Sequence, residues 1–196
     1  IINSLKSFVK FKPICPEVEI GLGIPRKPLR LIKLNDEVIM FQPATEKNYT
    51  TQMKDFALKF IKEVGNIDGF ILKNSSPSCG INNVKIYNST KPGASSSRGQ
   101  GVFGEIITNH YKGYPIEDEG RLRNIVIREN FFIKLFMLAN FRNIKSETTI
   151  NALIDFHSKN KYLLMAHNQS KLRELGKIVA NHNKNRVSEV YQDYEN

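Results

Sequence analysis

The chain has 196 residues, 40% of them hydrophobic, enough to bury one good core and to begin a second. Its net charge of +10 raises the prior for an anionic partner, but the basic residues are spread along the chain rather than gathered in one run. No stretch approaches the ~20 apolar residues a membrane span needs, and two cysteines do not make an extracellular disulfide framework, so a cytoplasmic protein is expected.

The opening, IINSLKSFVKFK, is too polar for a secretory signal. Residues 8–14 (FVKFKPI) read as a short strand running into Cys15-Pro16. LRLIKL (29–34) and EVIMF (37–41) read as two strands joined at Asn35-Asp36 by a tight hairpin turn. In TTQMKDFALKFIKEVG, Met53, Phe56, Ala57, Phe60, Ile61 and Val64 recur at three- and four-residue spacing, and Gly65 stands where a helix-ending glycine belongs. GFILK (69–73) has the apolar run of a buried parallel strand and leads into the loop NSSPSCG (74–80). VKIY (84–87) is a further strand. The Ser-, Gly- and Pro-rich segment after it reads as a mobile loop or lid before a helix over 101–111.

This order predicts an α/β fold, a compact and mostly parallel sheet flanked by helices. Residues 121–143 read as one long helix, and all that follows is helical, with Leu172, Leu175, Ile178 and Val179 in one stripe. The expected division is an α/β domain over 1–145 and an all-helical C-terminal segment over 146–196.

Two loops carry the chemistry. Cys15 opens CPEVEIGLGIPR (15–26) and Cys79 lies in SPSCG (76–80), each just past the carboxyl end of an expected strand, where open α/β sheets form ligand sites. Parallel neighbouring strands would bring both thiols to one crevice. The ordinary role of a lone cysteine is that of a small buried hydrophobe, and iron–sulfur sites normally take three or four ligands. Spacing alone stops at a pair of thiols with either use. Glu117, Asp118 and Glu119 with Arg121, and Arg128 with Glu129, read as helix-end and ion-pair residues rather than a site. The four histidines, His110, His157, His167 and His182, match no metal spacing and read as packing or surface residues.

CPEVEIGLGIPR, GFILKNSSPSCG with the following VKIY, GQGVFGE and IEDEGRL with RENF (128–131) together resemble the thiouracil desulfidase family, long called domain of unknown function 523. The resemblance runs from about residue 8 to 143 in motif order. FHSKNKYLLMAHNQSKLRELGKIVA (156–180) resembles the start of a YbgA-like domain, often fused behind the first.

The resemblance implies an iron–sulfur-dependent desulfidase that removes sulfur from thiolated pyrimidine bases or nucleosides by non-redox substitution. Its 4Fe–4S cluster is held by three cysteines and leaves one iron open for the substrate sulfur. Cys15 and Cys79 would be two cofactor-binding metal ligands, and the third is expected from a motif N-terminal to Ile1. Glu17 is the candidate acid/base, and Ser78 joins it in the catalytic set. Ser76 and Ser78 are expected to bind the pyrimidine edge or the cluster sulfurs. By themselves Glu17 reads as a solvated carboxylate or a partner for Arg26, and the serines as turn residues. The alternative is a nucleic-acid-associated basic module with structural cysteines and no catalysis, marked by steep salt dependence.

Overall fold

The computed structural model describes residues 2–91 and 93–195. By its internal contacts the chain divides into two compact units, Ile1–Leu135 and Phe136–Asn196.

The first unit opens with two single helical turns, α1 (Ile2–Leu5) and α2 (Pro16–Glu19). The strand expected over 8–14 does not form, and the segment between α1 and α2 is irregular. Pro13 removes a ladder donor, and Lys12 instead extends its ammonium to the Val64 carbonyl at 3.4 Å. Strands β1 (Arg30–Leu34) and β2 (Glu37–Gln42) pair antiparallel across Asn35 and Asp36, both left-handed at φ 47° and 65°. Two such residues in sequence match the right-handed strand twist, which is why Asn-Asp marks this hairpin. After β3 (Lys47–Asn48), α3 (Thr50–Glu63) buries Met53 and Ala57 and stops ahead of Gly65, itself at φ 75°.

Four more strands and a helix complete the unit: β4 (Phe70–Leu72), β5 (Val84–Tyr87), β6 (Ser96–Gly99), α4 (Val102–His110) and β7 (Ile116–Asp118). The main sheet has the order β3-β2-β1-β5-β6, and β4 and β7 make a separate two-stranded sheet. The expectation of a mostly parallel sheet is corrected here: the main sheet is mixed. Only β1–β5 is parallel within it, and β4–β7 is the other parallel pair. A two-residue hairpin returns the chain antiparallel, and β6 adds a second antiparallel edge against β5. Part of the Ser-rich segment expected as a loop is thus an edge strand. Its first three side chains are exposed, so it carries no apolar alternation and pairs with β5 chiefly through its backbone, with Arg98 Nη1 donating to the Asn83 carbonyl at 2.9 Å.

Helices α3 and α4 pack together over the sheet, with Leu31, Met40, Met53, Ala57, Val84, Phe103 and Ile107 at the centre of the core. Phe103 lies 5.9 Å from the Phe56 ring and 5.6 Å from Phe60, so an aromatic cluster backs the start of α4. Leu122, Phe131 and Leu135 form a smaller cluster with Val9 and Ile71.

The long helix expected from residue 121 begins later. Arg121–Arg123 is a 3₁₀ turn, and Asn124 accepts from the Val126 and Ile127 N–H groups to start α5 (Ile125–Glu147). The second unit continues with α6 (Ile150–His167), α7 (Gln169–Ala180) and α8 (Val187–Glu195). Thr149 and Asn168 cap α6 and α7 through their side-chain oxygens. Phe141, Leu153, Phe156, Val179, Val190, Tyr191 and Tyr194 make its core. Among the described residues no helix is long and apolar enough to cross a membrane.

Candidate active site

The segment 15–26 folds back on itself. Cys15 stands at the N-cap of α2 with extended backbone, and its carbonyl accepts from the Val18 and Glu19 N–H groups at 2.9 and 3.1 Å. Pro16 follows at the first helical position, where its missing N–H costs nothing. This one turn directs Glu17 inward, leaving it 9% exposed. Gly21 and Gly23, both at positive φ, then reverse the chain so that Arg26 reaches back. Arg26 donates from Nε to Glu17 Oε2, from Nη1 to the Gly23 carbonyl at 3.2 Å, and from Nη2 to Cys15 Sγ at 3.3 Å.

The second segment leaves β4 and is anchored at once. Glu119, just after β7, accepts from the Asn74 N–H at 2.7 Å and pairs with the Lys73 ammonium. Ser76 Oγ then accepts from the N–H groups of Ser78 and Cys79 at 3.3 and 3.2 Å, and the Gly80 N–H donates to the Ser76 carbonyl at 2.9 Å. The N-terminus of α4 closes over this loop. Its N–H groups at Val102 and Gly104 donate to the carbonyls of Pro77 and Ser78, and Gly101 donates to Gly80. The fit has no room for side chains: a Cβ at Gly101 would lie 2.5 Å from the Ser78 carbonyl oxygen, and one at Gly104 2.7 Å from those of Cys79 and Gly80.

The two segments, 61 residues apart in the chain, meet where Ser78 Oγ donates to Glu17 Oε1 at 2.7 Å. Ser78 Oγ also lies 2.9 Å from Ser76 Oγ and 3.6 Å from Cys79 Sγ. Cys15, Glu17, Ser76, Ser78 and Cys79 therefore belong to one network, completed by Arg26. The expectation that each cysteine lies past a strand holds for Cys79, in the loop that leaves β4, and is corrected for Cys15. Cys15 caps a helical turn, and Cys79 comes seven residues after the end of β4. Convergence arises from the loops, not from neighbouring parallel strands.

Neither cysteine is in a disulfide. Burial pushes the Cys79 thiol up to about 11, against the Ser78 hydrogen bond and with the help of the Glu17 and Cys15 charges. Burial alone would lower the Arg26 pKa, but its contacts with Glu17 and Cys15 outweigh that and hold it above its ordinary value. Sulfur donors of this kind suit soft metals and iron–sulfur clusters, and a bound cation would supply the charge that a buried Cys79 thiolate otherwise lacks. Two thiols are present, where such a group takes three or four. Among the described residues no cluster of three or more His, Cys, Asp or Glu side chains could hold a metal ion.

Other expectations resolve plainly. Lys73 pairs with Glu119, with 72% of its side chain exposed. Glu117 pairs with Arg121 at 2.7 Å as expected of an ion pair, and buried Asp118 accepts from the Arg121 N–H at 2.8 Å, but both lie on β7 rather than at a helix end. A cavity of about 660 Å³ lies between residues 12–21 and α3, lined by Ile14, Ile20, Phe56 and Phe60 but by none of the network residues. The chemistry and this groove do not coincide. Sequence reasoning did not count Arg26, Gly101, Gly104 or Glu119 as site residues. The strings PR and GQGVFGE held three of them, though nothing local says which way Arg26 turns.

The loops of this α/β unit thus join two thiols to a carboxylate, a hydroxyl and a guanidinium. Residues 1–119 match the family model of 2-thiouracil desulfurase, and the chain belongs to that family, which supports a desulfurase-type function. Residues 161–196 match a second model, a protein of unknown function (DUF1722), the YbgA-like segment. No curated protein and no solved structure matches the chain.

Proposed function

We propose that this protein removes sulfur from thiolated pyrimidines, with Cys15 and Cys79 as two protein ligands of a 4Fe–4S cluster, Glu17 as acid/base and Ser78 as its hydroxyl partner. The observation that carries this reading is the 2.7 Å contact between Ser78 Oγ and Glu17 Oε1, which ties the two cysteine loops together. Family membership supports the substrate class. When bound, the cluster would supply a Lewis-acidic iron that accepts the substrate sulfur.

The net reaction exchanges sulfur for oxygen without electron transfer. A water oxygen bonds to the thiocarbonyl carbon, the carbon–sulfur bond breaks, and hydrosulfide leaves. Glu17, held by Arg26 on one oxygen and by Ser78 on the other, takes the proton from the attacking water. Ser78 has one hydroxyl proton and accepts from Ser76 when it donates to Glu17, so proton positions along Ser76, Ser78 and Glu17 shift together. Ser76 Oγ accepts from the loop N–H groups and shapes the loop, and Ser78, 1% exposed, acts through Glu17.

The test is anaerobic reconstitution of the chain together with any natural sequence preceding Ile1. Iron and sulfide are counted, and hydrosulfide release from 2-thiouracil is followed. About four irons per chain are expected, with turnover abolished by Cys15→Ala or Cys79→Ala and lowered at least about 100-fold by Glu17→Gln. A folded protein that takes up no iron and releases no hydrosulfide refutes the proposal. Salt-dependent RNA or DNA binding by such a protein would favour the basic-module alternative.

A further inference from the structure

Arg26 touches both a proposed ligand and the proposed acid/base. Its guanidinium is a planar fork, and all three nitrogens are engaged: Nε on Glu17, Nη2 on Cys15 Sγ at 3.3 Å, and Nη1 on the Gly23 carbonyl at 3.2 Å. Three acceptors in different directions fix the plane of the group. One of them is backbone, so the fork is tied to the loop that carries it. Ser78 holds the remaining oxygen of Glu17 at 2.7 Å. A carboxylate gripped at both oxygens by groups on separate loops has lost its freedom to rotate.

We propose that Arg26 is a positioning residue of this site, holding the Glu17 carboxylate toward Ser78 and standing as a fixed counter-charge beside Cys15. The proposal rests on the desulfurase reading above. Glu17 has a side-chain exposure of 12% and Arg26 of 26%, so the pair sits at the rim of the site, close enough to solvent for water to reach it. Without the guanidinium, Glu17 keeps one tether, and the buried carboxylate and the Cys15 thiol lose the cation in contact with them. A lysine supplies the charge as a single point and cannot reproduce the three-armed grip.

Misplacing a catalytic group by about 1 Å costs on the order of 100-fold in rate. Arg26→Gln is therefore expected to lower kcat about 100-fold with KM within threefold. Arg26→Lys should recover part of the loss, and both variants should hold as much iron as the wild type, because Arg26 is not a ligand. In a Glu17→Gln background, Arg26→Gln should cost less than about threefold more, since its effect passes through Glu17.

A second readout is independent of turnover. The Arg26 Nε–H resonance of the ¹⁵N-arginine-labelled protein should exchange slowly with water and lose that protection in Glu17→Gln. Arg26→Gln with near-wild-type kcat, iron lost in proportion to activity, or an Nε–H signal indifferent to Glu17→Gln each overturns the proposal. A wild type that releases no hydrosulfide sinks the desulfurase reading instead, and the Nε–H signal still decides whether Arg26 holds Glu17.

Discussion

Two glycines inside helices offer a matched pair of perturbations. A Cβ on Gly104, in the first turn of α4, would lie 2.7 Å from the carbonyl oxygens of both Cys79 and Gly80. These are backbone atoms, and the shortfall from an ordinary contact of 3.4 Å is about 0.7 Å. Either α4 or the cysteine loop must move by that amount, and the Gly104 N–H bond to the Ser78 carbonyl, 2.9 Å long, moves with it. Overpacking of this kind costs about 1–3 kcal/mol, while alanine returns at most about 1 kcal/mol of helix propensity. Gly104→Ala is thus expected to destabilise the first unit by roughly 1–2 kcal/mol. It should also cut turnover at least tenfold by displacing Cys79. At Gly176, within α7, the nearest atom to a Cβ is His157 Nε2 at 3.6 Å, an ordinary contact. Gly176→Ala should therefore stabilise the helical unit, by about 0.5–1 kcal/mol. Urea unfolding followed by circular dichroism measures both. If Gly104→Ala gained stability as Gly176→Ala does, the close fit of α4 on the cysteine loop would be wrong.

Two further outcomes concern ionisation. Burial would raise the Glu119 carboxyl, but Lys73 and the Asn74 N–H outweigh it and hold the group below its ordinary value. Its stabilisation is present above the ordinary carboxylate range and fades as pH falls through the depressed value. Glu119→Gln should weaken that acid dependence and speed hydrogen exchange at the Asn74 amide, and unchanged exchange would refute the anchoring role. In the helical unit, burial and then the Lys161 charge lower the pKa of His157, whose Nδ1 lies 3.0 Å from Tyr194 Oη. The unfolded chain takes up this proton first, so stability should fall as pH drops below about 6.5, and His157→Asn should flatten that limb. An acid limb identical in both proteins would exclude His157 as its source.

Local chemistry explains what was legible in the residues. The hairpin at Asn35-Asp36, the face of α3, the parallel character of β4 and the helical C-terminal segment all follow from turn propensity and periodicity within a few residues. The strand expected at 8–14 and the loop expected at 89–101 misled because strand identity depends on a partner. Pro13 and the missing neighbour undo the first, while β5 supplies the edge that makes β6.

The site divides in the same way. The types and order of Cys15, Glu17, Ser76, Ser78 and Cys79 were determined by sequence alone, and with them the family. Tertiary structure decided that two loops 61 residues apart share one hydrogen-bonded network, that Arg26 completes it, and that Gly101 and Gly104 let α4 close on the Cys79 loop. The physical reason is range. A turn or a helical face is specified by neighbours along the chain, whereas a carboxylate finds its hydroxyl and its guanidinium only after the core has fixed where each loop must end.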